Sequence, residues 1–261
     1  MLNGAVLINR CNDNTFLTIL IEVWRFKHIS NLEQFQTVTG AALMRAFLGI
    51  FFLMAASGAP VAAQTELSFY GGFQSAPHSR VSGNEPSGIG AFDFVAAWEG
   101  RSFSLPLYYG VRITWWQSAT LGWGLDFSHD KIYASDATLV DNSLSILEFT
   151  DGLNILTFNA YRRWPDRWNV FTPYVGAGLG VSIPHVEFES DAGAVRTFEY
   201  QLGGPAVSVI AGASYPIGDR WSVFGEYKAT YSINRFELAN GGTLNTNIVT
   251  NSFNLGASLG F

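Results

Sequence analysis

"FNLGASLGF", Phe253 to Phe261, closes the chain. Phe253, Leu255, Ala257, Leu259 and Phe261 fall on one parity, and Asn254, Gly256, Ser258 and Gly260 on the other. A period of two marks a strand, because successive side chains point to opposite faces. Alternation alone does not say whether the apolar face meets a protein core or lipid. The rest of the chain has to decide.

Seven more stretches alternate in the same way: "ELSFYGGFQ" from Glu66, Tyr108–Trp116, Gly122–Ala134, Leu153–Trp164, Phe171–Glu189, Tyr200–Ile217 and Trp221–Phe236. With the final run from Leu244, that makes eight strands. "QSAT", "PDRWN" and "GDR" are tight turns, whereas 76–105, 135–151, 190–199 and 237–243 are longer and polar. Strict alternation of short and long connections with an even strand count predicts an all-β fold. It is an eight-stranded antiparallel transmembrane β-barrel of up-and-down topology, in the bacterial outer membrane. Arg112, Asp126, Asn159, Glu226, Lys228 and Asn254 share the polar parity, so they are expected to line a narrow lumen and pair there. Trp115, Trp116, Trp123, Trp164, Trp168 and Trp221 flank the short turns. They predict an aromatic girdle at the periplasmic interface, with the long connections outside. The terminal Phe261 fits a signal read by the barrel-assembly machinery.

Composition agrees. Aromatics reach 15% and charged residues only 14%, with a net charge of −6. An acidic chain without a basic run makes nucleic acid an unsuitable partner. "MRAFLGIFFLMAASGAPVAA", Met44 to Ala63, has a basic start, an apolar run and small residues at its end, as an export signal does. It predicts that Met44 is the true start, that 1–43 is an extension arising from a misplaced start codon, that 44–63 is removed, and that 64–261 is the barrel. Cys11, the single cysteine, lies in the removed part, which leaves no thiol chemistry.

Candidate chemistry gathers at the outer end. His78, His129 and His185 all belong to strands that run outward, and carboxylates accompany them: Asp130, Glu187, Glu189 and, in "WEGRSF", Glu99. Imidazole and carboxylate suit metal binding or proton transfer. By parity His129, His185 and Glu187 point outward, toward lipid, and strands 3 and 5 are close enough for side chains to converge across strand 4. Pro184 is positioned to bend strand 5 and break that phase. Such a site would see a lipid, and His129, His185 and Glu187 are the expected metal ligands. His78 and Glu99 are second candidates, brought over the site by the first loop. Arg80, Arg101, Lys131, Arg196 and Arg235 lie at the same end and suit the phosphates of lipopolysaccharide. The aromatic stretch "FDFVAAWEGRSFSLPLYYG" reads as a flap, or as an extension of strand 2.

"SAPHSR", "WEGRSF", "YYGVRITWW", "LEFTDGLN", "RTFEYQL" and "SYPIGDRWSVFGEYK" together resemble the outer-membrane lipid A oxidase family over most of residues 64–261. That resemblance implies oxidation of the proximal glucosamine of lipid A to 2-aminogluconate with molecular oxygen as co-substrate. Dioxygen reacts slowly with closed-shell sugars, and no nucleotide-binding glycine motif occurs, so iron or copper is the expected cofactor. Two other readings stand beside it. One is a structural or lipopolysaccharide-binding barrel without catalysis. The other is a lipid A deacylase-type hydrolase, for which Ser128–His129 and His78–Ser79 are awkward because strand neighbours face opposite ways.

Overall fold

The computed structural model describes residues 64–165, 167–192 and 195–261; the segments read as upstream extension and export signal lie outside the described residues. The chain runs through β1 (Gln64–Ser75), β2 (Ser79–Glu85), β3 (Gly90–Ala96), β4 (Trp98–Glu99), β5 (Tyr109–Trp116), β6 (Leu121–Ala134), helix α1 (Asp136–Asp141), β7 (Leu144–Arg163), β8 (Thr172–Ser190), β9 (Thr197–Tyr200), β10 (Gly204–Pro216), β11 (Trp221–Leu238) and β12 (Gly242–Gly260). Neighbours pair in the order β1–β5–β6–β7–β8–β10–β11–β12, and β12 pairs back onto β1 from Gly260 opposite Glu66 to Asn251 opposite Ser75. The ring therefore has eight antiparallel strands and no open edge. Closure is what lipid demands, since an unpaired backbone group in hydrocarbon costs several kcal/mol.

The short strands are pieces of ring strands. β2 continues β1 along β12, β4 continues β5 along β6, and β9 continues β10 along β8. Of the four connections read as long polar loops, 76–105 is therefore more than half strand, 135–151 and 190–199 are partly strand, and 237–243 is short. Residues 76–105 contain β2, β3 and β4, residues 135–151 hold α1 and the start of β7, and 197–199 open β9; 237–243 is a 3₁₀ turn at Ala239–Gly241 between strands. The aromatic stretch is the expected extension of strand 2, broken only where residues 100–108 leave the wall.

The reason for the misreading is an inversion of polarity along each strand. On β12 the outward residues change from Phe253 and Leu255 to Asn247 and Asn245, while the inward ones change from Asn254 and Ser252 to Ile248 and Leu244. Below the change the wall faces hydrocarbon and encloses polar groups. Above it the wall faces water and encloses an apolar core that includes Trp98, Ile132, Phe149, Val186, Phe188 and Phe236. Each large side chain buried there contributes about 1.5–3 kcal/mol. The upper storey is thus held as a soluble barrel is.

The lumen of the lower storey is filled. Arg112 donates to Asp126 Oδ2 (2.7 Å) and, through both terminal nitrogens, to Glu226 (2.9 and 2.8 Å). Lys228 also donates to Asp126, Tyr174 donates to Glu226 at 2.7 Å, and Tyr70 to Asp126 at 2.8 Å. Two cations and two carboxylates cancel, and neutral donors saturate the remaining lone pairs. Room for these side chains comes from small inward residues: a Cβ on Gly110 would lie 2.0 Å from the Tyr70 ring. A cavity of about 30 Å³ remains near the short turns, enough for water and no path for a solute. Of the six tryptophans, Trp116 turns inward instead of joining the girdle. It is buried and donates to Glu66 at 2.9 Å. Trp123, Trp164, Trp168 and Trp221 are outward and exposed.

Two outcomes are expected. Arg112→Met leaves the buried Glu226 carboxylate without a cation, while Asp126 keeps Lys228, and should cost about 3–5 kcal/mol in urea unfolding of the barrel in lipid vesicles; a loss under about 1 kcal/mol would mean that water screens the network. On whole cells, Gly241→Cys should react with an impermeant thiol reagent and Pro165→Cys should not. The reverse pattern would invert the assigned orientation.

Candidate functional site

At the level where the outer surface changes from apolar to polar, three strands carry reactive side chains on their outer face. β6 presents His129, Lys131 and Tyr133, β7 presents Glu148 and Asn154, and β8 presents His185 and Glu187. In register, His129 lies opposite Asn154, Tyr133 opposite Glu148, and Glu148 opposite Glu187, while His185 lies opposite Tyr200 of β9. Pro184 does not break the phase of β8, because Val186 and Phe188 remain in the inner core. The irregularity falls instead in β7, where the register with β8 shifts between Glu148 and Leu153. The extra residues form a bulge, which re-aims side chains on the wall.

That bulge joins the two histidines. Gly152 has φ +98°, and a Cβ there would come 2.2 Å from His129 Nδ1. Only glycine permits this close approach. Asn154 Oδ1 lies 2.9 Å from His129 Nδ1. An amide oxygen only accepts, so Nδ1 carries the proton and Nε2 keeps its lone pair. Nε2 is buried with no hydrogen-bond partner among the described residues. Tyr109 stacks on the same ring at 5.2 Å. The Asn154 amide donates to the carbonyls of Asp151 (3.4 Å) and Ile183 (3.3 Å), and Tyr200 Oη donates to the Asp151 carbonyl at 3.2 Å.

His185 is packed edge-on by Phe198 (4.4 Å) and Tyr200 (4.8 Å). Its Nδ1 is 3.2 Å from Glu187 Oε1 and 3.9 Å from Asp151 Oδ2. Arg196 donates to the other Glu187 oxygen and lies over the Phe198 ring. Burial, reinforced by Asp151, pushes the Tyr200 phenol up to about 12, so it stays a donor. Across β7, Lys131 is fully buried and donates to the Ser104 carbonyl at 2.7 Å, while Arg101 lies 4.5 Å over Tyr133.

His129, His185 and Glu187 thus share the outer face, as their parity requires, but they occupy two aromatic pockets with the bulge between them. Among the described residues no group of three His, Cys, Asp or Glu side chains could hold a metal ion. The expected ligand set does not fit a metal in this arrangement. His78 lies exposed in the link from β1 to β2, and Glu99 pairs with Arg101; the first loop does not carry them over the histidines. Of the five cations, Arg101, Lys131 and Arg196 flank the site. Arg80 pairs with Asp93 on the β2–β3 hairpin, and Arg235 reaches Asn245 on β12. Neither serine pair forms a hydrolytic dyad: Ser128 turns inward to Asp130 (2.7 Å), and Ser79 accepts from Trp98 (2.8 Å). Sequence reasoning missed Glu148, Asp151, Asn154 and Tyr200. The Asp-Gly pair in "TDGLN" was the available signal for the bulge.

No curated protein sequence matches the chain. Solved structures similar to it include Neisserial surface protein A, 14% identical with a TM-score of 0.41, covering 77% of this chain and 97% of that one. OprG from Pseudomonas aeruginosa is 9% identical with a TM-score of 0.42, covering 77% and 98%. Ail of Yersinia pestis, in complex with the heparin analogue sucrose octasulfate, is 10% identical with a TM-score of 0.33, covering 74% and 99%. Residues 48–261 match the family described as "Outer membrane protein beta-barrel domain". A closed eight-stranded ring, an apolar outer band and a match over most of its length make this chain a member of the outer membrane protein β-barrel family.

Proposed function

We propose that the barrel takes lipid A from the outer leaflet against the outer face of β6, β7 and β8 and oxidises its proximal glucosamine, with dioxygen as oxidant. One observation carries the reading: the proton-transferring side chains stand on the lipid-facing side of the wall, just above the apolar band, and not in the lumen. Polar groups placed there are costly unless they meet a polar headgroup or each other. Arg101 and Arg196, with exposed side chains, suit its phosphates, whereas Lys131 is buried against the Ser104 carbonyl. The oxidation itself follows the family resemblance. Iron or copper would supply the redox chemistry, but His129, His185 and Glu187 do not assemble a site for it.

What the chain's own residues do is bind and handle protons. His129 Nε2 offers a buried lone pair to a sugar hydroxyl. His185 and Glu187 form a proton-accepting pair held by Arg196. Glu148, above the membrane, faces Glu187; burial and then the Glu187 charge raise its carboxyl above the usual range, which favours its protonated form relative to an exposed glutamate.

Mass spectrometry of lipid A from cells with and without the gene should show an oxidised proximal sugar only when the gene is present. His129→Ala and His185→Ala should each abolish that product while leaving a heat-modifiable barrel. Lipid A unchanged by the gene would leave a barrel that holds lipopolysaccharide without catalysis. The Glu148 shift also makes a stability prediction. A carboxyl raised in the folded state contributes stability below its unfolded pKa and loses it as pH rises through the folded value. Glu148→Gln should therefore gain thermal stability relative to wild type as pH rises above the ordinary glutamate value of about 4.3. A difference that does not vary with pH would contradict it.

A further inference from the structure

On the lipid-facing wall, separated from the β6–β8 site by β5 on one side and β10 on the other, lies a groove of about 620 Å³, crossing β1, β12 and β11. In one outward row, Gly71 pairs with Leu255 and Leu255 with Gly225; in the next row up, Phe73 pairs with Phe253 and Phe253 with Tyr227. Phe73, Phe253 and Leu255 project into the bilayer, between 56% and 76% exposed, so two glycines among them leave a hollow. Packing does not require Gly225: a Cβ there would come no nearer than 3.5 Å to another atom, whereas one on Gly71 would press on the Tyr108 carbonyl at 3.3 Å and one on the inward Gly72 would lie 2.0 Å from a backbone oxygen. Neither outward glycine has the positive φ that would demand it.

The upper end of the groove is joined to the cations. Phe103, from the excursion at 100–108, lines the groove with Phe73. The next residue, Ser104, accepts from Lys131 Nζ. Gln74, next to Phe73, accepts the Lys131 N–H at 3.1 Å, and its own backbone exchanges two hydrogen bonds with the Ser102 hydroxyl. Phe103 and Leu105 are 75% and 85% exposed beside the apolar band. The excursion is a strap with an apolar edge at the groove and a polar edge at Lys131 and Arg101.

We propose that this groove seats one acyl chain of the phosphorylated glycolipid whose headgroup meets Arg101, the exposed cation at the top of the strap. The inference rests on the headgroup reading above and adds the acyl chain as a determinant of which lipid is chosen. The groove lies in the band that hydrocarbon covers, so an acyl chain is the occupant that the surroundings supply. Arg101 at its upper end, exposed to the headgroup level, selects the chain of an anionic lipid.

Native mass spectrometry of the detergent-extracted full barrel tests this by titration with lipid A, with its acyl-free disaccharide bisphosphate and with phosphatidylglycerol. Lipid A should bind about tenfold or more tightly than either, a difference of about 1.4 kcal/mol. Gly225→Phe, or Gly225→Leu should the first fail to fold, should remove that advantage. Ala177→Phe, which adds the same bulk on the lipid face of β8, should leave it. The proposal is overturned if the groove variants bind lipid A as wild type does, if the acyl-free sugar binds as tightly, or if phosphatidylglycerol binds equally well. Lipid A oxidation, scored in the same strains, separates the two ideas. Groove-dependent binding with no oxidised sugar in any strain sinks the oxidase reading alone, and full oxidation with groove-independent binding sinks the groove alone.

Discussion

Backbone pairing between β1 and β12 is the constraint on which the rest of this protein depends. In hydrocarbon no water can satisfy an exposed N–H or C=O, so the sheet must close on itself. Closing with eight strands leaves a lumen only wide enough for side chains. Those side chains face inward on the polar parity, and a charge buried there alone would cost several kcal/mol. The Arg112–Asp126–Glu226–Lys228 network, neutral in sum and saturated by tyrosine hydroxyls, is the solution that follows. The same filling excludes a channel and moves any chemistry to the outer surface.

The second organising fact is the exchange of inside and outside along each strand. Below, the apolar face is outward because lipid is the solvent; above, it is inward because water is. At the boundary, both solvents are within reach of one row of residues. His129, Glu148, His185 and Glu187 occupy that row on β6, β7 and β8. The β7 bulge supplies what a regular strand could not, the Asp151 carbonyl and the Asn154 amide that hold Tyr200 and His129 in fixed orientation. The strap at 100–108 closes the neighbouring edge of the row over Lys131.

The fold was legible because period-two alternation and unequal connections are local properties, carried by neighbouring residues whatever the rest of the chain does. For the same reason, the inward parity of Arg112, Asp126, Glu226 and Lys228 and the outward parity of His129, His185 and Glu187 could be read from position alone. Parity says which face a side chain takes but not what it meets there. The upper strands escaped notice because their polar face is outward, so 76–105 has the composition of a loop although β2 and β3 pair in it. Trp116 joins Glu66 in the lumen, Glu99 turns to Arg101, and His129 and His185 sit in separate pockets. These outcomes depend on strand register, on a bulge and on an excursion from the wall, which are set by contacts between residues far apart in the chain. Sequence by itself determined the membrane, the strand count and the face of each residue, since these follow from local periodicity. Only the tertiary structure decided which of those residues touch, because contact across a barrel is a property of closure and register.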